Sequence, residues 1–185
     1  MKRQRYLSSF LITICLWSAN LLTAQDVNYF LQTEGPDIVG SSTTEDYVDW
    51  INVISYGIAV FNANVSDATS GSGGSELESV EFLIQGDVKV IPALFKAAAK
   101  GSPFTKMTLH ALSSTGVSAY QPVVIILEEC VITSMAQEGT QGDLPVFSIQ
   151  VKADKLTIKT TSLKPDGTAD DPKEEGWDFK GNIEL

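Results

Sequence analysis

Residues 47–61, YVDWINVISYGIAVF, carry the clearest secondary-structure pattern in the sequence. This stretch is rich in β-branched and aromatic residues and contains no proline, so it predicts one long β-strand. A strand with one solvated face alternates cleanly between apolar and polar residues. Here both faces are apolar, so we expect another element or a neighbouring subunit to cover the second face. One face carries Val48, Trp50, Ile54, Tyr56, Ile58 and Val60, and the other carries Ile51, Val53, Ala59 and Phe61.

Strand patterns also dominate the sequence that follows. Within the last predicted strand the apolar parity changes near Asp154, which predicts a β-bulge or a bend. The segment 62–79 is polar and contains SGSGG, so it predicts an exposed loop. Residues 164–180 predict a turn, an acidic solvated loop and a tryptophan, Trp177, that anchors the terminus. The predicted strands cover residues 80–85, 104–112, 123–135 and 146–161.

One segment changes from the two-residue period of a strand to the period of a helix. Pro92 suits the first helical turn and Gly101 suits the position after the last turn. The sequence therefore predicts one short amphipathic helix packed on a mainly β domain. Its predicted apolar stripe consists of Ile91, Leu94, Phe95 and Ala98.

The first 24 residues have the pattern of a signal peptide. Lys2, Arg3 and Arg5 precede an apolar run from Leu7 to Trp17, and small and polar residues follow it. We predict cleavage between Ala24 and Gln25, with a single domain over residues 25–185. The run is shorter than the roughly 20 apolar residues that span a bilayer. We therefore expect a secreted, periplasmic or extracellular protein without stable membrane insertion, and a retained anchor is the alternative.

The charge of the chain argues against anionic partners. The whole sequence carries a formal charge of −10, and removal of the three basic residues of the leader gives −10 − 3 = −13. No arginine remains after residue 24. Because proteins that hold phosphates use basic patches and the arginine fork, we do not expect nucleic acid to be a partner.

Catalytic and metal-binding patterns are weak throughout the sequence. His110 is the one histidine, no Gly-x-Ser-x-Gly motif occurs, and the strand reading makes His110 a polar residue on a sheet face. Glu128 and Glu129 are adjacent in a strand and point to opposite faces, so they are not an acid–base pair. After removal of the leader Cys130 is the one cysteine, and we interpret it as a small buried hydrophobe.

Two further segments suggest ligands at first sight. Residues 166–171 offer oxygen ligands for calcium but lack the spacing and the closing glutamate of an EF-hand loop. Residues 71–75 are rich in glycine, but no basic residue accompanies them, so a phosphate cradle is disfavoured. We therefore predict no catalytic, metal or cofactor site, no cofactor and no enzymatic activity.

The order of several short motifs resembles the Hcp (haemolysin-coregulated protein) family, the tube proteins of type VI secretion systems. No single motif is specific, but their order along residues 26–182 is. The residues that carry the resemblance are DVNYFL at 26–31, Glu34-Gly35, WINVISYG at 50–57, LFKAAAKG at 94–101, LEECVI at 127–132, Asp143-Leu144-Pro145 and GWDFKGN at 176–182.

The resemblance implies a small β-barrel of two packed antiparallel sheets with one short flanking α-helix. It also implies hexameric rings that stack into a tube, with effectors in the lumen and with a sheath and a spike-tip protein as further partners. The extended loop of the family reaches toward the next ring. The candidate ring-stacking residues are thus Ser66, Asp67, Thr69, Ser72 and Glu76, an idle solvated loop being the alternative, and the structural residues are Trp50, Tyr56, Phe95 and Trp177.

The predicted leader leaves a second hypothesis open, because the family pattern includes no signal peptide. In this hypothesis the chain is an exported relative of the family. It would form rings or filaments, or bind ligands, outside the inner membrane and would not belong to a secretion machine.

Overall fold

The computed structural model describes residues 26–62, 74–114 and 119–185. Within these ranges the fold is mainly β with one short helix, as predicted. The helix α1 covers Ile91–Lys100 and follows a 3-10 turn, Val88–Val90. The strands are β1 (Val27–Glu34), β2 (Ile51–Val53), β3 (Ser55–Asn62), β4 (Ser75–Gln85), β5 (Pro103–Ser114), β6 (Ala119–Glu138), β7 (Val146–Thr160), β8 (Lys173–Asp178) and β9 (Ile183–Glu184).

The strands form one continuous antiparallel sheet that curls into a barrel. Its order is β2-β1-β5-β6-β7-β4-β3, with β8 beside β7 and β9 beside β8. β2 and β3 are separated by Ile54 alone, and the Ile54 N–H donates to the Leu83 carbonyl at 2.8 Å. The two ends of the strand order therefore meet. The core inside the barrel collects buried side chains such as Leu31, Phe82 and Ile149.

The prediction of one long strand over residues 47–61 was wrong. Residues 47–50 form turns, in which Asp49 has a φ of 65°. The rest divides at Ile54 into β2, which pairs with β1, and β3, which pairs with β4. Residues 51–62 therefore cross from β1 at one end of the strand order to β4 at the other end, and this crossing segment closes the barrel.

Near Asp154 the alternation of buried and exposed side chains shifts by one residue on two neighbouring strands. On β7 the shift lies between Ala153 and Leu156, and on β6 it lies between Leu127 and Cys130. The pairing register between β6 and β7 is the same before and after this shift, so there is no β-bulge at this position. On β6 the change coincides with a positive φ of 52° at Glu129. The one-sided register shift between these strands lies elsewhere, between Ile132 and Ser134.

The helix begins and ends where the sequence predicts. Gly101 takes a φ of 60°, and its N–H donates to the carbonyls of Ala97 and Ala98. The buried residues of the helix are Leu94 and Ala97, whereas Phe95 is 65% exposed. The placement of Phe95 in the buried stripe was therefore wrong. Phe95 lies about 100° around the helix axis from Leu94, and Ala97 takes its place against the sheet.

Two polar segments contain more strand than expected. Residues 75–79 belong to β4 and pair with β3, so the predicted loop 62–79 is shorter. In the acidic tail, β8 pairs with β7, with Trp177 opposite Leu156, so this part of the tail extends the sheet. Among the residues that the structure describes, no helix is long and apolar enough to span a membrane.

Candidate functional site

His110 lies in an aromatic cluster on the outer face of β5. Its ring centre is 4.9 Å from that of Trp50 and 5.6 Å from that of Tyr47, and Tyr47 stacks on Phe30 at 4.5 Å. The Tyr47 hydroxyl accepts a hydrogen bond from the Gln121 side chain at 2.8 Å and lies 3.3 Å from His110 Nδ1. The cluster lies on the side of β5 that faces away from the barrel core. The contacts of the His110 ring given above come from Tyr47 and Trp50, and neither carries a carboxylate.

Burial sets the protonation of this cluster. Desolvation lowers the pKa of His110 below its usual value of 6.5. Desolvation raises the pKa of Tyr47 above its usual value, and the nearby Asp46 carboxylate adds to that rise, while the hydrogen bond from Gln121 opposes it. Both side chains are therefore neutral at pH 7. A neutral histidine among aromatic rings is a packing residue here.

The lowered pKa of His110 predicts a pH-dependent stability. As pH falls below about 6.5, the unfolded chain binds a proton before the folded chain does, so the free energy of unfolding decreases. We expect His110→Gln to lose this component. The test is denaturant unfolding of both proteins between about pH 7.5 and 5.5. An equal decrease in both proteins would show that carboxylates alone cause it.

Cys130 and Glu129 are two further residues that the search for chemistry in the sequence singled out. Burial raises the pKa of the Cys130 thiol to about 12, so the thiol stays protonated. Glu129 binds Lys155 at 3.0 Å, an exposed ion pair. Within the described ranges no group of three or more histidine, cysteine, aspartate or glutamate side chains could hold a metal ion.

Asp87 is a buried residue that sequence reasoning missed. It is 1% exposed, and its Oδ2 accepts the N–H groups of Ser41 at 3.0 Å and Asn52 at 3.2 Å. Its Oδ1 has no partner among the described residues. Asp87 thus fixes the segment 41–52 to the junction of β4 and α1. The signal was an aspartate directly before a helical pattern, which predicts an N-cap, but the side chain makes no cap hydrogen bond here.

The predicted assembly residues are only partly within the described ranges. Ala24 and Gln25, at the predicted cleavage site, lie outside them, as do four residues of the predicted stacking loop, Ser66, Asp67, Thr69 and Ser72. The fifth, Glu76, lies on β4, exposed and opposite Phe61 of β3. The structure therefore places Glu76 on a β-hairpin that carries the loop.

Three of the four predicted structural residues make packing contacts. Tyr56 meets Tyr29 edge to face at 5.4 Å, and Trp50 meets Tyr47 at 5.1 Å. Trp177 on β8 is the cross-strand partner of Leu156 on β7, and both side chains line the same cavity. Phe95 does not share this role, because most of its side chain is exposed. Phe95 is therefore a surface residue that needs another explanation.

An apolar groove lies where β7 changes its neighbour. β4 pairs with β7 up to Val151, and β8 pairs with it from Lys155 onward. Between them the β3–β4 hairpin and β8 diverge, leaving a cavity of about 600 Å³. The buried Trp177 Nε1 has no partner within the part of the chain that the structure describes. The groove is lined by Val60, Asn62, Ser75, Leu156, Ile158, Glu175, Gly176, Trp177, Phe179 and Glu184.

Comparison with known proteins agrees with this architecture. The sequence profile described as "Type VI secretion system effector, Hcp" matches residues 30–160, well over half of the chain. No curated protein matches the sequence.

Several solved structures share the fold at low sequence identity. One is a type six secretion system protein, with 18% identity, a TM-score of 0.76, and coverage of 86% of this chain and 100% of that chain. Hcp1 from Salmonella typhimurium has 18% identity, a TM-score of 0.69, and coverage of 86% and 99%. A type VI secretion system effector from Yersinia pestis has 16% identity, a TM-score of 0.63, and coverage of 81% and 98%. At these identities the likeness concerns the fold.

Proposed function

Because this chain belongs to the Hcp family of type VI secretion proteins, we propose that it is a structural subunit of a secretion tube. In this proposal copies form hexameric rings, the rings stack into the inner tube of the machine, and the lumen carries effectors. The sheath and the spike-tip protein are the further partners. The observation that carries the proposal is the family match over residues 30–160, on a chain that closes into the matching barrel.

The surface of the barrel supports a role in assembly. Ile54, Val60 and Phe61 on the crossing segment are 46%, 55% and 59% exposed. Apolar side chains that are exposed together on one element often mark a surface that binds a partner. The sequence predicted that another element or subunit covers residues 47–61. Ile51 and Val53 are buried in the barrel of the same chain, so a partner subunit would cover only residues 54–61.

The chemistry of the described residues supports a non-enzymatic role. His110 is neutral and packed among aromatic rings, and the Cys130 thiol is buried and protonated. A nucleophile or a general base needs access to substrate and a partner that activates it. Neither side chain has both, so we propose that the chain acts through its surfaces and without a cofactor.

The loop between β3 and β4 tests the stacking part of the proposal. We expect replacement of residues 64–73 by a short Gly/Ser turn to leave folding and ring diameter unchanged, because halving a loop changes its closure free energy by about 0.6 kcal/mol. Tube length in electron micrographs should fall, since the loop would supply the contacts between rings.

The control is the same replacement in residues 139–143, an exposed loop that joins β6 to β7. Unchanged tubes after the change at 64–73 would show an idle loop. Folded protein without rings would instead place the loop in the lateral contact between subunits.

The leader motivates the second candidate, an exported relative outside a secretion machine. Signal-peptide cleavage would give a mature chain that starts at Gln25, in a domain over residues 25–185. Mass spectrometry of the native protein tests this, and an intact Met1 on a cytoplasmic species would contradict export.

A further inference from the structure

The exposed side of α1 combines an aromatic side chain with unpaired positive charge. Phe95 is 65% exposed although it stands on the one helix of the described chain. Lys96 and Lys100 are exposed beside it, one turn apart. Ten lysines follow residue 25, and five of them form ion pairs with described residues. Lys96 and Lys100 are not among those five, so α1 presents an apolar side chain with two lysines on one side of it that form no ion pair with described residues.

The groove between the β3–β4 hairpin and β8 has the opposite character. Its walls are largely apolar, through Leu156, Ile158 and Trp177, and it is open at the surface with a volume of about 600 Å³. Glu175 and Glu184 stand at its rim, both exposed, and neither pairs with a lysine of the described residues. An apolar pocket with a carboxylate rim fits an apolar group that carries positive charge beside it.

Charge also disfavours the hairpin loop as the occupant. Residues 62–79 contain acidic side chains and no lysine or arginine, so this loop would bring like charges to the glutamate rim. The exposed side of α1, with its aromatic ring and two lysines, matches the apolar walls and the glutamates of the groove. One chain cannot bring its own α1 to this groove, because Leu94 and Ala97 fix the helix in the core.

We propose that α1 of one copy docks on the groove of the next copy, with Phe95 inserted and Lys96 and Lys100 facing Glu175 and Glu184. This inference rests on the proposed function and assigns its lateral contact. A knob and a groove on different surfaces of the same chain make a head-to-tail interface, and such interfaces close into rings when the rotation permits. The contact also covers the ring of Phe95, which the described residues of one chain leave 65% exposed.

Disulfide capture tests the contact directly. We expect the double variant Phe95→Cys with Ser75→Cys to form intermolecular disulfides under mild oxidation, seen as a ladder that ends at the ring stoichiometry on a denaturing gel. Each single variant is the control and should give no ladder beyond dimers. Cys130 does not compete, because its thiol is buried.

A second measurement does not depend on cysteine geometry. Phe95→Ser should shift the assembly midpoint to at least tenfold higher protein concentration, with Val48→Ser, 60% exposed and outside the groove, as the matched control. If the unaltered chain forms rings but neither the ladder nor the shift appears, the assigned contact is wrong and the proposed function stands. If the unaltered chain is monomeric, the proposed function itself fails.

Discussion

Replacing Leu94 with alanine is expected to lower the free energy of unfolding by about 2–5 kcal/mol, because it leaves a cavity at a fully buried core position. Phe95→Ala, one residue further along the same helix, should change it by less than about 0.5 kcal/mol, since the Phe95 side chain is mostly exposed. Denaturant unfolding at a protein concentration below that of assembly measures both.

The pair separates packing within one chain from packing between chains. At concentrations where copies associate, Phe95→Ala should lower the apparent stability, because binding between copies stabilises the folded state by mass action. A large loss from Phe95→Ala in the dissociated protein would contradict the exposed placement of this side chain.

The second large effect is expected at Gly40. A β-carbon there would overlap the backbone of Trp50 and Ile51, in a segment where the Gly40 N–H donates to the Asp49 carbonyl at 2.7 Å. Backbone cannot move aside as a flexible side chain can. Gly40→Ala should therefore lower the free energy of unfolding by more than about 2 kcal/mol. It should also move Trp50 away from the His110 ring.

Gly57 provides the matched control. A β-carbon there meets nothing within 4 Å, so Gly57→Ala should change stability by less than about 1 kcal/mol. Trp50 fluorescence reports the local effect, because Trp50 lies against the His110 ring. Equal stability of the two variants would mean that residues 40–42 and 49–50 do not approach as the structure shows.

The fold class followed from patterns within single elements. Alternation over residues 80–84 and 146–153 identified β4 and β7, and the spacing of Leu94 and Ala98 with Gly101 identified α1. These signals are local, because each element must present an apolar face at its own period. The family resemblance rests on a different signal, the order of several short motifs along residues 26–182.

The misassigned features depend on contacts that sequence patterns do not encode. Residues 47–61 contain a continuous strand pattern, but closure of the barrel requires a change of partner at Ile54. Phe95 fits an apolar stripe as well as Ala97 does, and the position of the sheet decides which is buried. Asp87 was missed altogether, because its partners Ser41 and Asn52 reach its carboxylate only in the folded chain.

The groove could not be predicted from the sequence either. It exists because β4 and β8 adjoin different halves of β7, a pairing pattern between segments far apart in the chain. The anchoring role of Trp177 stays a prediction, and the structure shows only that Trp177 pairs opposite Leu156. Its Nε1, which has no partner among the described residues, and the nearby Glu175 and Glu184 became a candidate site only in the folded chain.

The mass of the purified domain over residues 25–185 in solution decides whether this chain forms rings. Light scattering together with native mass spectrometry at micromolar concentration should give six chains in one closed species, visible as rings in electron micrographs. A monodisperse single chain under these conditions would contradict the claim that this protein is a ring-forming tube subunit.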